Sequence, residues 1–216
     1  MKLSEAAVIH RNVPPDWYER GIEKNSGQRF WHFRRFAEVG KLIEPTGGKI
    51  LDIGSADGTF TKVILDHSRA DLVLGVDVLP ASVAFAKKKF AKNKKLRFQV
   101  ANAEKLPFKK EEFDAVFCLE VLEHLFAPEK TLLEVKRVLK KNGYAIFLVP
   151  TENIPFKIIW FFWENTWGWI WKGTHVQKFT KRELIRIVRK VGFKICTDKK
   201  FLLGMLEAIK AKKNDK

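Results

Sequence analysis

The chain has 216 residues, of which 46% are hydrophobic, so its length favours one domain with a sizeable buried core. Its two cysteines, Cys118 and Cys196, each lie in an apolar run, which predicts buried free thiols and a reducing, cytoplasmic compartment. Residues 1–10 contain no long apolar stretch, which argues against a secretory signal.

The formal net charge is +16. A basic surface suggests an anionic partner, which is a nucleic acid, an acidic membrane face or an anionic substrate. Solvated lysines are the alternative, because acidic residues interleave most of the basic ones. Local basic clusters lie between Lys87 and Lys95 and in the tail from Lys210.

Short apolar runs alternate with helical patterns along the chain. The predicted strands are 49–53, 72–76, 96–100, 113–119, 144–149 and 193–197, with an ambiguous last strand over 201–212. The predicted helices are 59–67, 80–90, 128–139 and 181–191, and residues 140–143 are predicted to stop the third of them. This alternation predicts an α/β doubly wound, mostly parallel sheet of six or seven strands, with helices on both faces.

Ligands of such sheets bind beyond the carboxyl ends of the strands. Gly54 and Gly58 flank a tight turn between the first strand and its helix, where free backbone N–H groups face a ligand. Asp77 ends the second strand, and its carboxylate can accept hydrogen bonds from a ribose diol. Asp57 within the turn is expected to repel a pyrophosphate, which favours a positively charged sulfonium cofactor, S-adenosylmethionine, over a nicotinamide dinucleotide.

Residues 52–58 resemble the first motif of the class I S-adenosylmethionine-dependent methyltransferases, Asp-x-Gly-x-Gly-x-Gly, with Ala56 in place of the middle glycine. Further matches follow in order at 75–77, 101–108, 113–118 and 139–144. The resemblance implies a Rossmann-like methyltransferase that binds S-adenosylmethionine. The cofactor-binding residues predicted on these grounds are Arg34, Asp52, Gly54, Ala56, Gly58, Asp77, Val78, Asn102, Ala103 and Leu119.

Arg34 is the weakest of these assignments. It rests on ungapped counting back from Asp52 to the place where the ubiquinone-biosynthesis O-methyltransferases use an arginine, and Arg35 competes for the role.

The segment Leu-Glu-Val-Leu-Glu-His places Glu120, Glu123 and His124 at i, i+3 and i+4, which share one face of a helical turn. Together with His175 they are a candidate site for a divalent cation, Mg²⁺, Mn²⁺ or Zn²⁺. Without a metal, His124 acts as a base or lines the site, and a purely structural role is the third alternative. His124 and Glu123 are the predicted catalytic residues, because an oxygen acceptor must lose its proton during transfer.

Two subfamilies resemble this arrangement. The ubiquinone-biosynthesis O-methyltransferases have a Glu-x-x-Glu-His run, a membrane-contacting insertion and a Lys-Gly-Thr-His segment, which is similar to residues 172–175 here. The small-RNA 3′-end 2′-O-methyltransferases share chiefly the four residues of the predicted metal site.

Residues 154–171 contain five of the seven tryptophans. Polar residues interrupt this run, and tryptophan prefers the membrane interface, so a spanning helix is disfavoured. A surface anchor, a hydrophobic lid, a dimer contact and simple packing on the sheet remain open.

One methyltransferase domain is predicted over 1–216. It comprises a helical cover (1–44), a cofactor-binding core (45–150), an aromatic insertion on the substrate side (151–178) and a C-terminal helix with strands (179–216). The leading hypothesis is O-methylation of a lipid-like or isoprenoid small molecule, by a cytoplasmic protein at the inner face of a membrane. An RNA ribose methyltransferase and a non-catalytic cofactor-binding regulator or partner subunit are the alternatives, and the oligomeric state is left open.

Overall fold

The computed structural model describes residues 5–180 and 182–213. The first residue of the helix predicted over 181–191 and the last three residues of the basic tail therefore lie outside the described residues. Seven strands form one sheet, as the alternating pattern predicted: β1 Lys49–Ile53, β2 Leu72–Asp77, β3 Leu96–Val100, β4 Phe113–Leu119, β5 Leu139–Pro150, β6 Phe193–Phe201 and β7 Leu206–Lys213. Their order across the sheet is β3-β2-β1-β4-β5-β7-β6.

Strands β1 to β5 are parallel, whereas β7 runs antiparallel to both β5 and β6. The helices are α1 Glu5–His10, α2 Trp17–Lys24, α3 Ser26–Gly40, α4 Thr59–Ser68, α5 Pro80–Lys89, α6 Pro128–Val138, α7 Ile154–Glu164 and α8 Glu183–Lys190. This is the predicted α/β doubly wound architecture. The strand order reverses between β1 and β4, so a crevice opens beyond the carboxyl ends of these two strands.

Two apolar layers cover the sheet. Leu132 of α6 and Leu184 of α8 belong to one buried cluster, and Ile64 of α4 and Val83 of α5 belong to the other. The central parallel strands β1 and β4 are buried on both faces, which explains their nearly continuous apolar runs, whereas the edge strand β3 is exposed on one face. These layers make the sheet a rigid base for the residues at its carboxyl edge.

Three details differ from the sequence prediction. Residues 140–143, expected as a turn, already belong to β5, and the pairing of β5 with β4 shifts register between Phe113 and Ala115. The last strand begins at Leu206 rather than at 201, because Leu202 and Leu203 adopt left-handed conformations that turn the chain. Cys196 is exposed, since it lies on an edge strand, whereas Cys118 is buried as expected.

Asp52, at the end of β1, is buried inside the protein and accepts a hydrogen bond of 2.6 Å from Thr61 Oγ1. Burial raises the pKa of its carboxyl to about 7, although the Thr61 hydroxyl opposes the shift. The folded state therefore keeps this proton up to a higher pH than the unfolded state does. Stability contributed by the protonated carboxyl is present at low pH and is lost as pH rises through this window.

We expect the Asp52→Asn variant to gain thermal stability relative to the parent protein as pH rises from 5 to 8, because the amide cannot ionise. Thermal unfolding without ligand at both pH values measures this difference. Asp66→Asn, which changes an exposed carboxylate on α4, is the matched control and should show no such trend. An Asp52→Asn effect of equal size at both pH values would contradict the assignment.

Candidate active site

The turn after β1 is shaped by three positive φ angles, +76° at Gly54, +45° at Ala56 and +78° at Gly58. A Cβ atom on Gly54 would lie 2.2 Å from Val121 Cγ2, so only glycine fits there. Ala56 occupies the middle glycine position of the motif in a left-handed conformation, which costs about 1 kcal/mol for a residue with a side chain. Ala56 is therefore a strained residue of the turn, and alanine is not a neutral replacement for glycine there.

Asp77 at the end of β2 holds this strained turn in place. Its Oδ2 accepts a hydrogen bond of 2.9 Å from the Ala56 N–H, and its Oδ1 accepts one of 2.9 Å from the Leu79 N–H. Burial raises the pKa of Asp77, and the backbone donors oppose that shift. The carboxylate thus faces the crevice with a fixed orientation.

A cavity lies directly beyond this turn. Of the predicted cofactor-binding residues, those that line it are Gly54, Ala56, Asp77, Val78, Asn102 and Ala103. Leu119 lines a smaller adjoining cavity together with Ser55. The structure therefore brings seven of the ten predicted residues to the two cavities.

Two of the remaining three predicted residues lie behind the turn. Asp52 is turned towards Thr61 at the start of α4, and Gly58 lies against Phe98 and Phe90, where a Cβ atom would come within 2.7 to 2.8 Å of either ring. Both residues support the turn from behind and do not line the described cavities.

Arg34 is the third of these residues, and it does not line the described cavities, whereas Arg35 lines two of them. Its side chain is 48% exposed and pairs with Glu38, whereas the neighbouring Arg35 side chain is only 4% exposed and lies against Tyr18. Arg35 shares the buried face of α3 with His32, which precedes it by one turn. The helix therefore turns Arg35, and not Arg34, into the crevice.

Asp57 lines the smaller adjoining cavity, but protein groups engage its carboxylate, which the sequence argument had treated as free. Its carboxylate accepts hydrogen bonds from the backbone N–H groups of Glu19 and Thr59 at 3.0 and 2.9 Å, and it lies 3.4 Å from Lys89 Nζ. The residue therefore anchors α2 over the turn. The preference for a sulfonium over a pyrophosphate must rest on other features.

Glu120 departs from the predicted metal site. Its φ of +55° ends β4 abruptly, and its carboxylate forms an ion pair with the buried Arg35 side chain. Only residues 122–124 form a short 3-10 turn, so Glu120 does not share a helical face with Glu123 and His124. Its assignment as a metal ligand is therefore corrected.

Glu123, His124 and His175 do come together, with one potential ligand atom from each within 4.8 Å of the others. His124 Nδ1 lies 2.9 Å from the Thr174 carbonyl oxygen, which can only accept, so this nitrogen carries the hydrogen and Nε2 is an acceptor. His175 Nδ1 lies 3.2 Å from a carboxylate oxygen of Glu152. A hydrogen-bond partner at Nδ1 thus fixes the orientation of each ring and leaves its Nε2 for a ligand.

Burial dominates the protonation of this cluster. It raises the pKa of Glu123 to about 8, and Glu123 Oε2 has no hydrogen-bond partner in the described part of the chain. Burial also lowers the pKa of His124 well below its usual value, and the nearby His10 and His175 add to the effect. His124 is therefore neutral at pH 7, and its pKa is not close to working pH as the sequence argument assumed.

A second cavity, of about 300 Å³, opens beside the first between α3 and α7. Large aromatic side chains form much of its wall, namely Trp17, Tyr18, Trp31, Phe156, Trp160, Trp163 and Trp171. Glu123, His124 and His175 provide the polar side of the same cavity. The predicted aromatic insertion thus lines a site at the carboxyl edge of the sheet.

Sequence reasoning missed several residues of this site. His10 packs edge-on against His124 with ring centroids 4.5 Å apart, and Tyr18 lines all three cavities. Neither residue belongs to a recognisable sequence motif. For Arg35 a signal existed, because its spacing to Phe36 and Val39 places it on the apolar stripe of α3.

Comparison with known proteins agrees with this architecture. Residues 51–147 match the family model of the methyltransferase domain. The chain is 28% identical over 191 residues to a ubiquinone/menaquinone biosynthesis C-methyltransferase of Desulfotalea psychrophila, which covers 81% of this chain and 76% of that protein. It is 34% identical over 148 residues to a ubiquinone biosynthesis O-methyltransferase of Pelagibacter ubique, which covers 66% of this chain and 60% of that protein.

Among solved structures, a chain of the complex between the Haloferax volcanii Trm112 methyltransferase activator and a methyltransferase shares the fold. Its TM-score is 0.74 at 18% identity, and the alignment covers 94% of this chain and 98% of that one. Residues 51–147 thus carry a methyltransferase domain, and the fold is shared with solved methyltransferases. The chain is a methyltransferase whose sequence is similar to enzymes of quinone biosynthesis, and the match spans about three fifths of the length of the O-methyltransferase relative.

Proposed function

We propose that this methyltransferase transfers a methyl group from S-adenosylmethionine to an oxygen of a lipid-like or isoprenoid small molecule at a membrane surface. One observation carries the proposal: a cavity with large aromatic side chains in its wall, and with Glu123, His124 and His175 on one side, adjoins the cavity at the glycine turn. The similarity to both C- and O-methyltransferases of quinone biosynthesis supports an apolar acceptor.

The adenosine part of the cofactor fits the first cavity. Each oxygen of Asp77 accepts one backbone hydrogen bond and keeps acceptor capacity for a ribose hydroxyl. Val78, Asn102 and Ala103 lie along the same cavity and would flank the base.

The methionine part fits the smaller adjoining cavity. Ser55 Oγ is buried there without a hydrogen-bond partner among the described residues, and Gly54 and Arg35 line the same space. A carboxylate would satisfy the hydroxyl and pair with the guanidinium. When bound, the cofactor supplies a methyl group on a positively charged sulfur.

The acceptor oxygen is proposed to lie at Glu123 and His124. His124 presents its Nε2 lone pair, because its Nδ1 hydrogen is committed to Thr174, and it orients the acceptor hydroxyl. Glu123, whose Oε2 is unpartnered, takes the hydroxyl proton in its ionised form, and because its pKa is raised to about 8 this form becomes more populated as pH rises through that value. Aromatic walls hold the ring of the acceptor in line with the methyl group, which supplies much of the acceleration.

A divalent cation is the second candidate for activating the acceptor. Glu123, His124 and His175 offer one carboxylate and two imidazoles, and each ring has an oxygen acceptor on its Nδ1. Such acceptors behind the ring are typical of metal-bound histidines. This ligand set favours Zn²⁺ or Mn²⁺ over Mg²⁺. The RNA alternative required Glu120 as a fourth ligand, and that residue is engaged by Arg35.

The proposed contact with a membrane rests on the protein surface around the second cavity. Both helices that border it expose large apolar side chains, namely Phe30, Phe33, Ile154, Ile158, Ile159, Phe161 and Phe162. Lys157 and Lys172 of the insertion supply positive charge for anionic head groups. None of the described helices is long and apolar enough to cross a membrane.

We expect Arg35→Met to weaken S-adenosylmethionine binding by roughly 30-fold, because it removes about 2 kcal/mol of hydrogen bonding to a charged group. Arg34→Met, one residue away on the exposed side of α3, is the matched control and should bind normally. Calorimetric titration measures both variants. Normal binding by Arg35→Met, or no binding by the parent protein, would contradict the assignment of the methionine site.

Glu123→Gln should lower kcat by about 100-fold or more while S-adenosylmethionine binding is retained, because the variant cannot take the proton. The assay follows S-adenosylhomocysteine release with a prenylated catechol as the probe acceptor. Dialysis against a chelator separates the two candidates. Activity that is lost and then restored by Zn²⁺ or Mn²⁺ selects the metal, and unchanged activity selects the carboxylate.

Ile158→Ser together with Phe162→Ser should reduce co-flotation with phosphatidylcholine vesicles that contain phosphatidylglycerol. The control is Leu133→Ser, since Leu133 on α6 is 53% exposed and Ile158 is 54% exposed, but Leu133 lies away from the second cavity. Equal flotation of the parent protein and both variants would remove the membrane part of the proposal.

A further inference from the structure

Glu120 lies where the three cavities of the site meet. The two residues that line all three cavities are Glu120 and Tyr18, so both lie at the junction through which a methyl group must pass. Neither the assignment of the methionine site nor the deprotonation of the acceptor uses the Glu120 carboxylate.

The backbone holds Glu120 at the junction at an energetic cost. Its φ of +55° is unfavourable for a residue with a side chain, and its backbone N–H donates a hydrogen bond of 2.8 Å to the Leu148 carbonyl oxygen on β5. The ion pair with Arg35 fixes the side chain as well. Arg35 has five N–H donors, enough to hold Glu120 and a further carboxylate together.

The surroundings of Glu120 suit a cation. Tyr18, Trp17 and Trp171 line the first and second cavities beside it and present aromatic rings. A carboxylate with aromatic faces around it is an arrangement that attracts a positively charged group of low hydration. The sulfonium of the cofactor is such a group, and its methyl must point towards the second cavity.

We infer that Glu120 and Tyr18 form a charge-selective junction that binds the positively charged S-adenosylmethionine more tightly than the neutral product S-adenosylhomocysteine. The inference rests on the proposed function, because it requires the cofactor to lie across the first cavity and its smaller neighbour. Glu120 is thereby reassigned from a metal ligand to a specificity-determining residue of the methyl-transfer reaction.

The reaction itself removes the attraction. The sulfur–methyl bond breaks as the oxygen–methyl bond forms, the bonding electron pair stays on sulfur, and the acceptor proton passes to Glu123. The sulfur becomes neutral, so its electrostatic interaction with Glu120 disappears. The junction therefore favours loading of the reactive cofactor and release of the spent one.

The test compares three ligands by calorimetry: S-adenosylmethionine, S-adenosylhomocysteine and sinefungin, which carries an ammonium group near the sulfonium position. The parent protein should bind the two cationic ligands about tenfold more tightly than S-adenosylhomocysteine. Glu120→Gln should abolish most of this preference. Glu129→Gln, which makes the same chemical change on α6 beside Lys190, should retain it.

Arg35→Met provides an opposite signature from the same ion pair. All three ligands carry the methionine carboxylate, so this variant should weaken all of them, and because it leaves Glu120 without its positive partner it should keep or widen the preference for the cationic ligands. Tyr18→Leu leaves the ion pair intact and should lower the preference in the same direction as Glu120→Gln. It serves as the test if Glu120→Gln does not fold, as judged by thermal unfolding.

An undiminished preference in folded Glu120→Gln, or in Tyr18→Leu when Glu120→Gln does not fold, would overturn the inference, as would an equal affinity of the parent protein for all three ligands. Failure of the parent protein to bind any of the ligands would instead refute the proposed function. The two failures are therefore distinguishable in one set of titrations.

Discussion

The buried guanidinium of Arg35 joins the N-terminal helices to the carboxyl edge of the sheet. It comes from α3, pairs with Glu120 after β4, contacts the His32 ring and lies 5.9 Å from the centre of the Tyr18 ring. A buried charge is tolerable only when it is paired, and removal of one partner leaves the other uncompensated. Burial lowers the pKa of Arg35 to about 10 and that of His32 to about 2, so the arginine stays charged and the histidine neutral at pH 7. The shared wall of the three cavities depends on this arrangement.

Sequence patterns could predict the sheet because its central strands are buried on both faces. Strands β1, β3 and β4 were predicted with their observed bounds: β1 and β4 are nearly continuous apolar runs, whereas the edge strand β3 alternates between buried and exposed residues. The glycine turn was predictable for a related reason, because Gly54 has no room for a side chain. Packing dictates these features, and it restricts which amino acids can occupy the buried strands and the turn, so the features can be recognised in the sequence.

The site residues that were mispredicted depend on backbone geometry over one or two residues. Counting along the chain could not separate Arg34 from Arg35, although a helix points neighbouring residues about 100° apart. Similarly, the i, i+3, i+4 spacing of Glu120, Glu123 and His124 implied one face only if the segment were helical. A left-handed φ at Glu120 breaks that premise and turns its side chain towards α3. Contacts such as His10 against His124 join distant parts of the chain and leave no local pattern.

The aromatic insertion illustrates why one segment supported four interpretations. Its helix α7 is apolar around most of its circumference, so periodicity alone cannot assign an inner and an outer face. The fold resolves the two faces: Phe156, Trp160 and Trp163 turn towards the second cavity, whereas Ile154, Phe161 and Phe162 remain exposed. A helix that needed only to pack on the sheet would not keep so much apolar surface in water. The same helix therefore lines the second cavity with one apolar face and keeps another apolar face on the outside of the protein, as the proposed lipid-like acceptor requires.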